Sequence, residues 1–366
     1  MTRRHFCKRY HKLMLRLCTD SVTPPPLRLV GILLLSACIL YAVPRVVAQE
    51  TPLLSGGVGF FARSNGGDST FVPVVSPLLA APLGNSFLIE SRATILESFF
   101  PKGGGQSGYD HTHFSGAEFM QLAYLATSHI TIVGGLFLTP FGTYNERLSP
   151  IWIGNFQDGP IILPIGTGTG SGLGGMVRGS AISTESYSVA YAAYFSANST
   201  NENFPATRST GGRVQVYFPK LRLEFGASYT RSLAAVETNS SGFDVWWEPP
   251  HSELKVRSEY AHSAHAQGYW IEMDYRLSRF GGPESVVGRV EPLFRWQQFF
   301  RNSADPTDGM PATDTNRAEF GLDYRLPHEV RILTSYGRQF TPLGDSNIWR
   351  AGIVYRFLFP AWKGKS

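Results

Sequence analysis

The stretch DTNRAEFGLDYRLPHEVRILTSYGRQFTPLGDSNIWRAGIVYRFLF, residues 314–359, decides how the rest of the chain is read. Ala318, Phe320, Leu322, Tyr324 and Leu326 share one parity, and Arg317, Glu319, Gly321, Asp323 and Arg325 share the other. After Pro327-His328 the alternation restarts, with Val330, Ile332, Thr334 and Tyr336 against Arg331, Leu333, Ser335 and Gly337. It returns with Trp349, Ala351, Ile353, Tyr355 and Phe357 against Arg350, Gly352, Val354 and Arg356. A period of two means β-strands with one apolar and one polar face. A soluble sandwich would bury the apolar face and dilute the other with Ser, Thr and Lys. Here the polar face carries both signs of charge in rows and the apolar face ends in aromatics, which is the signature of a transmembrane β-barrel read strand by strand.

The same pattern recurs upstream. Leu221, Leu223, Phe225, Ala227 and Tyr229 oppose Arg222, Glu224, Gly226 and Ser228. Tyr269, Ile271, Met273 and Tyr275 oppose Glu272, Asp274 and Arg276, and Leu254, Val256 and Tyr260 oppose Lys255, Arg257 and Glu259. From residue 185 onward the expected strands are 186–196, 212–219, 221–231, 242–248, 252–261, 267–277, 287–298, 315–325, 328–338 and 347–358, separated by Gly, Pro, Asn and Asp turns. Pro292 fits its strand poorly and calls for a bulge or a local break. Before residue 185 the first clear strand is 87–98, where Glu90, Arg92 and Thr94 alternate with Ile89, Ala93 and Ile95. Residues 49–86 form a Gly/Pro/apolar lead-in. The expected fold is an all-β, antiparallel up-and-down barrel of about fourteen to sixteen strands, a size that leaves an aqueous path.

The first 48 residues stand apart. They hold eight Lys/Arg and one Asp, a net +7 against +5 for the whole chain, which leaves residues 49–366 at −2. A basic start, the apolar run Leu29–Val43 and Val46-Val47-Ala48 read as a secretory signal peptide cleaved after Ala48. Leu35-Ser36-Ala37-Cys38 also fits a lipoprotein site, but the chain stays apolar through Ile39, Leu40 and Tyr41 where a lipoprotein turns polar. The basic balance of the whole chain therefore belongs to export and gives no support for nucleic-acid binding. Cys7, Cys18 and Cys38 all lie in this segment, so the remainder offers no disulfide, thiolate ligand or Cys nucleophile.

Strand-to-loop chemistry is most specific in the middle of the chain. His129-Ile130-Thr131-Ile132-Val133-Gly134-Gly135-Leu136-Phe137-Leu138 runs into Thr139-Pro140-Phe141-Gly142, then Tyr144, Glu146, Arg147, Ile151, Trp152, Phe156 and Asp158. Pro140 and Gly142 end the strand. Apolar anchors that tuck the following loop against a wall would leave Glu146, Arg147 and Asp158 toward a water path; a loop packed on itself outside the barrel is the alternative. This segment resembles the G-x-F-x-T-P-F-G strand-to-loop segment of the phosphate-selective porin-like outer-membrane proteins. That resemblance implies about sixteen strands, an inward-folded loop (here 139–175) that narrows the pore, and a homotrimer. Phosphate selectivity in that family rests on a dense ladder of Arg and Lys, whereas residues 49–366 are slightly acidic, so the sign of ion preference stays open.

Other motifs point to loops rather than sites. Gly166 to Gly175 lacks the preceding strand and following helix of a dinucleotide loop and reads as a flexible connection. His111-Thr112-His113 puts two rings on one strand face without a third ligand in view. His262, Ser263 and His265 are the nearest approach to a barrel hydrolase. No cofactor, metal or catalytic residue is expected. The leading reading is a bacterial outer-membrane porin passing small hydrophilic solutes or ions, embedded in outer-membrane lipids. Its expected lumen-lining residues are Glu90, Arg92, Arg147, Asp158, Arg222, Glu224, Arg257, Glu259, Glu272, Asp274, Arg276, Arg317, Glu319, Asp323, Arg325 and Arg350. The alternatives are a non-conducting structural or adhesive barrel, an outer-membrane hydrolase, and a soluble exported β-protein.

Overall fold

The computed structural model describes residues 51–103, 107–201, 204–234, 237–303 and 308–361. The signal segment expected at 1–48 lies outside the described residues. Sixteen antiparallel strands close into one barrel in sequence order. They are β1 (Leu53–Asn65), β2 (Asp68–Leu83), β3 (Phe87–Pro101), β4 (Tyr109–Thr127), β5 (Ile130–Leu138), β6 (Ser171–Ser183), β7 (Ser188–Ala197) and β8 (Ser209–Phe218). They continue with β9 (Leu223–Ser232), β10 (Thr238–Trp247), β11 (Leu254–Ser263), β12 (Ala266–Tyr275), β13 (Val290–Arg301), β14 (Thr315–Leu326), β15 (Val330–Phe340) and β16 (Ser346–Pro360). The barrel closes where β1 pairs with β16 along the whole of β1, from Leu53↔Pro360 to Asn65↔Ile348. Closure leaves no sheet edge with unpaired backbone, as a surround without water demands.

Parity sorts the side chains as the alternation requires. Phe60, Ile95, Leu122, Ile132, Phe195, Phe225, Phe243, Phe320, Trp349 and Ile353 are all exposed on the outer face. Outward aromatics pair across strands, Phe87 with Tyr124 at 4.8 Å and Tyr336 with Trp349 at 4.4 Å. At the rim that carries both chain ends, connections are short (84–86, 128–129, 184–187, 219–222, 248–253, 327–329), with one longer segment at 276–289.

The ten strands expected after residue 185 all form, and residues 49–86 differ from the sequence reading. The lead-in contains β1 and β2. Glycines at 56, 57 and 59 and prolines at 73, 77 and 82 hid the alternation. The β2–β3 ladder tolerates the prolines by interruption: its pairs skip 72–73 and 76–77. Pro292 needs no bulge, because the β12 ladder ends at Leu293 and Pro292 pairs only on its β14 side. The inward connection ends at residue 170 rather than 175, since β6 starts at Ser171. The glycines there are strand residues: a Cβ on Gly172 would meet the Phe137 ring at 2.8 Å, and one on Gly174 would collide with the Phe195 carbonyl.

Candidate functional site

The connection 139–170 folds into the barrel, and its neck is built by three local devices. Thr139 N–H donates to Gly170 O at 3.1 Å, and the Asn145 amide clasps both sides, donating to Thr139 O (3.0 Å) and Gly170 O (2.7 Å). Gly142 then turns the chain inward with φ +64, a left-handed conformation, at a place where a Cβ would run into the Glu259 carboxylate. Its N–H donates to Ser228 Oγ at 3.0 Å, and Glu259 accepts from the next two backbone N–H groups, Thr143 (3.2 Å) and Tyr144 (3.4 Å). A turn of π-helix, Tyr144–Leu148, and a short α-helix, Pro164–Thr167, follow within the loop.

Two apolar seats hold the loop. Phe141, Tyr144, Leu148, Ile162 and Ile165 pack on Ala261, Ala266, Trp270 and Phe299 of β11–β13. Ile151 and Trp152 pack on Leu333 and Val354, with Phe61 and Leu78 beside them. Gly57 makes room for Trp152, whose ring would lie 2.9 Å from a Cβ there. Each fully buried aliphatic or aromatic side chain contributes roughly 1.5–3 kcal/mol, so these seats fix the loop across the lumen.

Charges complete the seating. Glu272 accepts from both Arg257 (2.8 Å) and Arg295 (2.7 Å), and Asn155 of the loop donates to Glu272 and Asp274, each at 3.0 Å. Arg295 donates to Asp158 O at 2.8 Å and lies 4.3 Å over the Phe156 ring. Lys255 joins Asp274 (3.2 Å) to Glu291 (3.6 Å), and Arg325 closes on Glu291 at 2.5 Å. Arg331 pairs with Asp323 and donates to Trp152 O at 3.1 Å. Arg350 bridges Glu319 and Asp158, while Arg63 and Arg317 each stand 3.9 Å from the same Asp158 carboxylate. Burial opposes ionisation of Asp158, yet Arg350, Arg317 and Arg63 together hold its carboxyl below the ordinary value. Opposite, Arg147 pairs with Glu224 at 2.8 Å and stacks 4.2 Å from the Trp246 ring, and Glu146 takes Arg178 at 3.0 Å.

The expected lumen residues fall into three groups. Arg257, Glu259, Glu272, Asp274, Glu319, Asp323 and Arg350 face inward but are buried, holding the loop and one another instead of facing open water. Glu90 and Arg92 also face inward. Glu90 accepts from Gln121, and Arg92 is buried against Glu118 and Ser149. Arg147, Asp158, Glu224, Arg317 and Arg325 form the pairs given above. Arg222 and Arg276 depart from the sequence reading. Arg222 sits in the β8–β9 turn with φ 48 and pairs with Glu248, because β9 begins only at Leu223. Arg276 follows the last residue of β12 and donates to Gly288 O (3.1 Å) and Pro283 O (3.2 Å).

Sequence reasoning missed Arg63, Glu118, Arg178, Arg213, Asp244, Glu291, Arg295 and Arg331. Glu118 reverses parity at a bulge between Arg92 and Ala93, so no alternation could place it. Glu291 and Arg295 lie in the strand expected at 287–298, but the poor fit of Pro292 left their face unassigned. His111 and His113 lie on the outer face beside Glu97, with ring nitrogens 3.5 and 3.2 Å from its carboxylate. Among the described residues no group of three or more His, Cys, Asp or Glu is arranged to hold a metal ion. His265 reaches Ser303 Oγ at 2.7 Å, while Ser263 is spent on its own turn.

Space remains beside the loop. A cavity of about 470 Å³ lies at the rim bearing the chain ends, between Trp152, the β14–β15 turn and the 276–289 connection. A second, of about 250 Å³, lies between Glu146 and the inner faces of β6–β8.

No protein-family model matches the sequence, and no curated protein matches it. Solved structures do resemble it. The in-vitro folded form of OmpT, an outer membrane protein of Vibrio cholerae, aligns with TM-score 0.54 and 11% identity over 86% of this chain and 100% of that one. The anion-selective porin from Comamonas acidovorans aligns with TM-score 0.54 and 11% identity over 84% and 100%. Salmonella typhi OmpF aligns with TM-score 0.53 and 11% identity over 84% and 98%. Identity this low speaks for fold alone. The chain has the fold of the outer-membrane porin-type β-barrels, closed by sixteen strands.

Proposed function

We propose that the chain is a bacterial outer-membrane porin, exported by a signal peptide cleaved after Ala48, through which small hydrophilic solutes or ions diffuse past the inward loop. The observation that carries this reading is the pairing of an apolar outer face with an inner face of charges, in a barrel of sixteen strands whose long connection lies inside. An Arg or Lys facing lipid costs roughly 2–4 kcal/mol at mid-bilayer, so charged rows belong on the water side of the wall. Barrels of this strand number enclose more space than their own side chains fill. Arg63, Arg147, Arg178, Lys255, Arg325 and Arg356 are among the described inward cations left substantially exposed, and with Asp158 they would line the solute's route.

One observation favours a second reading. The loop bonds to strands nearly all round the barrel, from Arg92 on β3 to Arg63 on β1, as a plug would. Planar-bilayer recording with folded, detergent-purified protein separates the two. Discrete, long-lived current steps support the porin, and inserted protein without steps supports a non-conducting barrel. A hydrolase reading would need ester cleavage by pure protein that is lost on His265→Ala. The solved structures of similar fold include a trimer form of OmpT, an outer membrane protein of Vibrio cholerae, so we propose a homotrimer for this chain too, to be read from its mass in native detergent. N-terminal sequencing of the exported protein tests cleavage after Ala48.

A further inference from the structure

Counting charges and seeing charges are different in this barrel. Residues 49–366 carry a net −2, yet the acids sit deepest in the wall. Glu291 has its side chain fully out of solvent, while its partners Arg325 and Lys255 are each about a third exposed. Glu319 and Asp323 are equally buried, but so are Arg350 and Arg295, the partners of Glu319, and Arg331, the partner of Asp323, is nearly so. Around Glu291 a solute in the lumen therefore meets guanidinium and ammonium groups first, with the carboxylate behind them in a low-dielectric wall that screens little.

This layering is most concentrated in the cavity of about 470 Å³ under Trp152, where Arg276, Arg289, Arg325, Arg331 and Arg356 converge. Against these five arginines the same cavity lining holds two carboxylates, Glu284 and Glu329. Arg276 is oriented by two backbone carbonyls, and among the described residues it makes no ion pair. Arg356 lies 3.9 Å from Glu329, both largely exposed, and Arg289 pairs with Glu284, whose side chain is 86% exposed at the rim. Arg325 and Arg331 pair with Glu291 and Asp323, which are buried.

We propose that this arginine-lined vestibule binds small solutes bearing two or more carboxylate or similar oxyanion groups, and that it gives the channel a preference for anions. The planar guanidinium fork matches an oxyanion with two parallel hydrogen bonds, and several forks around one cavity select for more than one anionic group. The inference rests on the channel reading above and adds to it the sign and class of the solute.

The test uses citrate as the multivalent probe and the full exported chain. A KCl gradient across a bilayer should give a reversal potential of anion sign. Citrate added at the rim bearing the chain ends should reduce the current and bind the detergent-solubilised protein in a calorimeter. The double variant Arg276→Gln/Arg356→Gln should weaken both effects by about tenfold or more, the loss expected for charge-assisted hydrogen bonds. Arg338→Gln, whose partner Asp345 lies at the opposite rim, should leave them unchanged. Cation preference, or citrate block equal in wild type and double variant, overturns the vestibule and leaves the channel standing. Citrate binding in the calorimeter without any conductance supports the site and overturns the channel; neither binding nor conductance overturns both.

Discussion

On β4–β7 the inward side chains Ala123, Val133, Met176 and Tyr194 pack on one another and on Phe137. From β11 round to β16 the inward chains include Arg257, Glu272, Arg295, Glu319, Asp323 and Arg350, set among the apolar seats Trp270, Phe299, Leu333 and Val354. One half of the inner wall is thus buried by apolar packing, while the other mixes apolar seats with buried ion pairs. The apolar half is complete in itself. The charged half is not: a buried ion pair must satisfy its remaining lone pairs and protons or it costs more than it returns. The loop supplies what is missing, with backbone donors to Glu259 and Gln297, carbonyls to Arg295 and Arg331, and the side chains of Asn155 and Asp158. Together with the two apolar seats on the same strands, this explains why the loop seats on the charged half.

The contrast can be broken most severely at Arg295. Arg295→Ala strips Glu272 Oε2 of two hydrogen bonds from one guanidinium and should cost about 3–5 kcal/mol, read as a lower urea midpoint for unfolding from detergent. Arg295→Met should cost clearly less than that if packing over Phe156 matters alongside charge. On the apolar half Met176→Ala should cost about 2–5 kcal/mol through a cavity. It should leave the loop in place, so limited proteolysis between residues 139 and 170 should stay as slow as in wild type.

Asp158→Asn sharpens the comparison from the loop's side. It should speed that proteolysis and widen the conductance step, since Arg350, Arg317 and Arg63 lose their shared carboxylate. The same contact predicts a pH response. The carboxyl of Asp158 is held below its ordinary value of about 3.9. Its contribution is therefore fully present above that ordinary value and is lost only as pH falls through the lowered one. Conductance should stay flat from pH 7 to about 4 and change only below. A transition at pH 5–6 would mean that another group controls the loop. The smallest effect is expected outside the barrel. Glu97→Gln beside His111 and His113 breaks exposed pairs worth at most about 1 kcal/mol and should alter neither unfolding nor conductance.

Much of this architecture is legible in the sequence because a period of two survives wherever one face meets an apolar surround. β14, β15 and β16 could be drawn from parity alone. β1 and β2 could not, since Pro73 and Pro77 sit in gaps of the ladder that only the partner strand reveals. The loop's apolar anchors, Phe141, Tyr144 and Trp152, were visible as residues a solvated loop does not need. Their destinations were not. Whether Glu259 faces water or two loop N–H groups depends on contacts between elements more than a hundred residues apart in sequence. Glu118 was hidden for a local reason, a bulge that turns an outward parity inward.

In the porin proposed above, water and solute pass beside a loop fixed to the charged wall. Single-channel recording of the folded, purified protein in a planar bilayer tests it most directly. Discrete, long-lived steps of one size that grow in Asp158→Asn are the expected result. Protein that inserts into the bilayer and gives no steps, in wild type and variant alike, would contradict it.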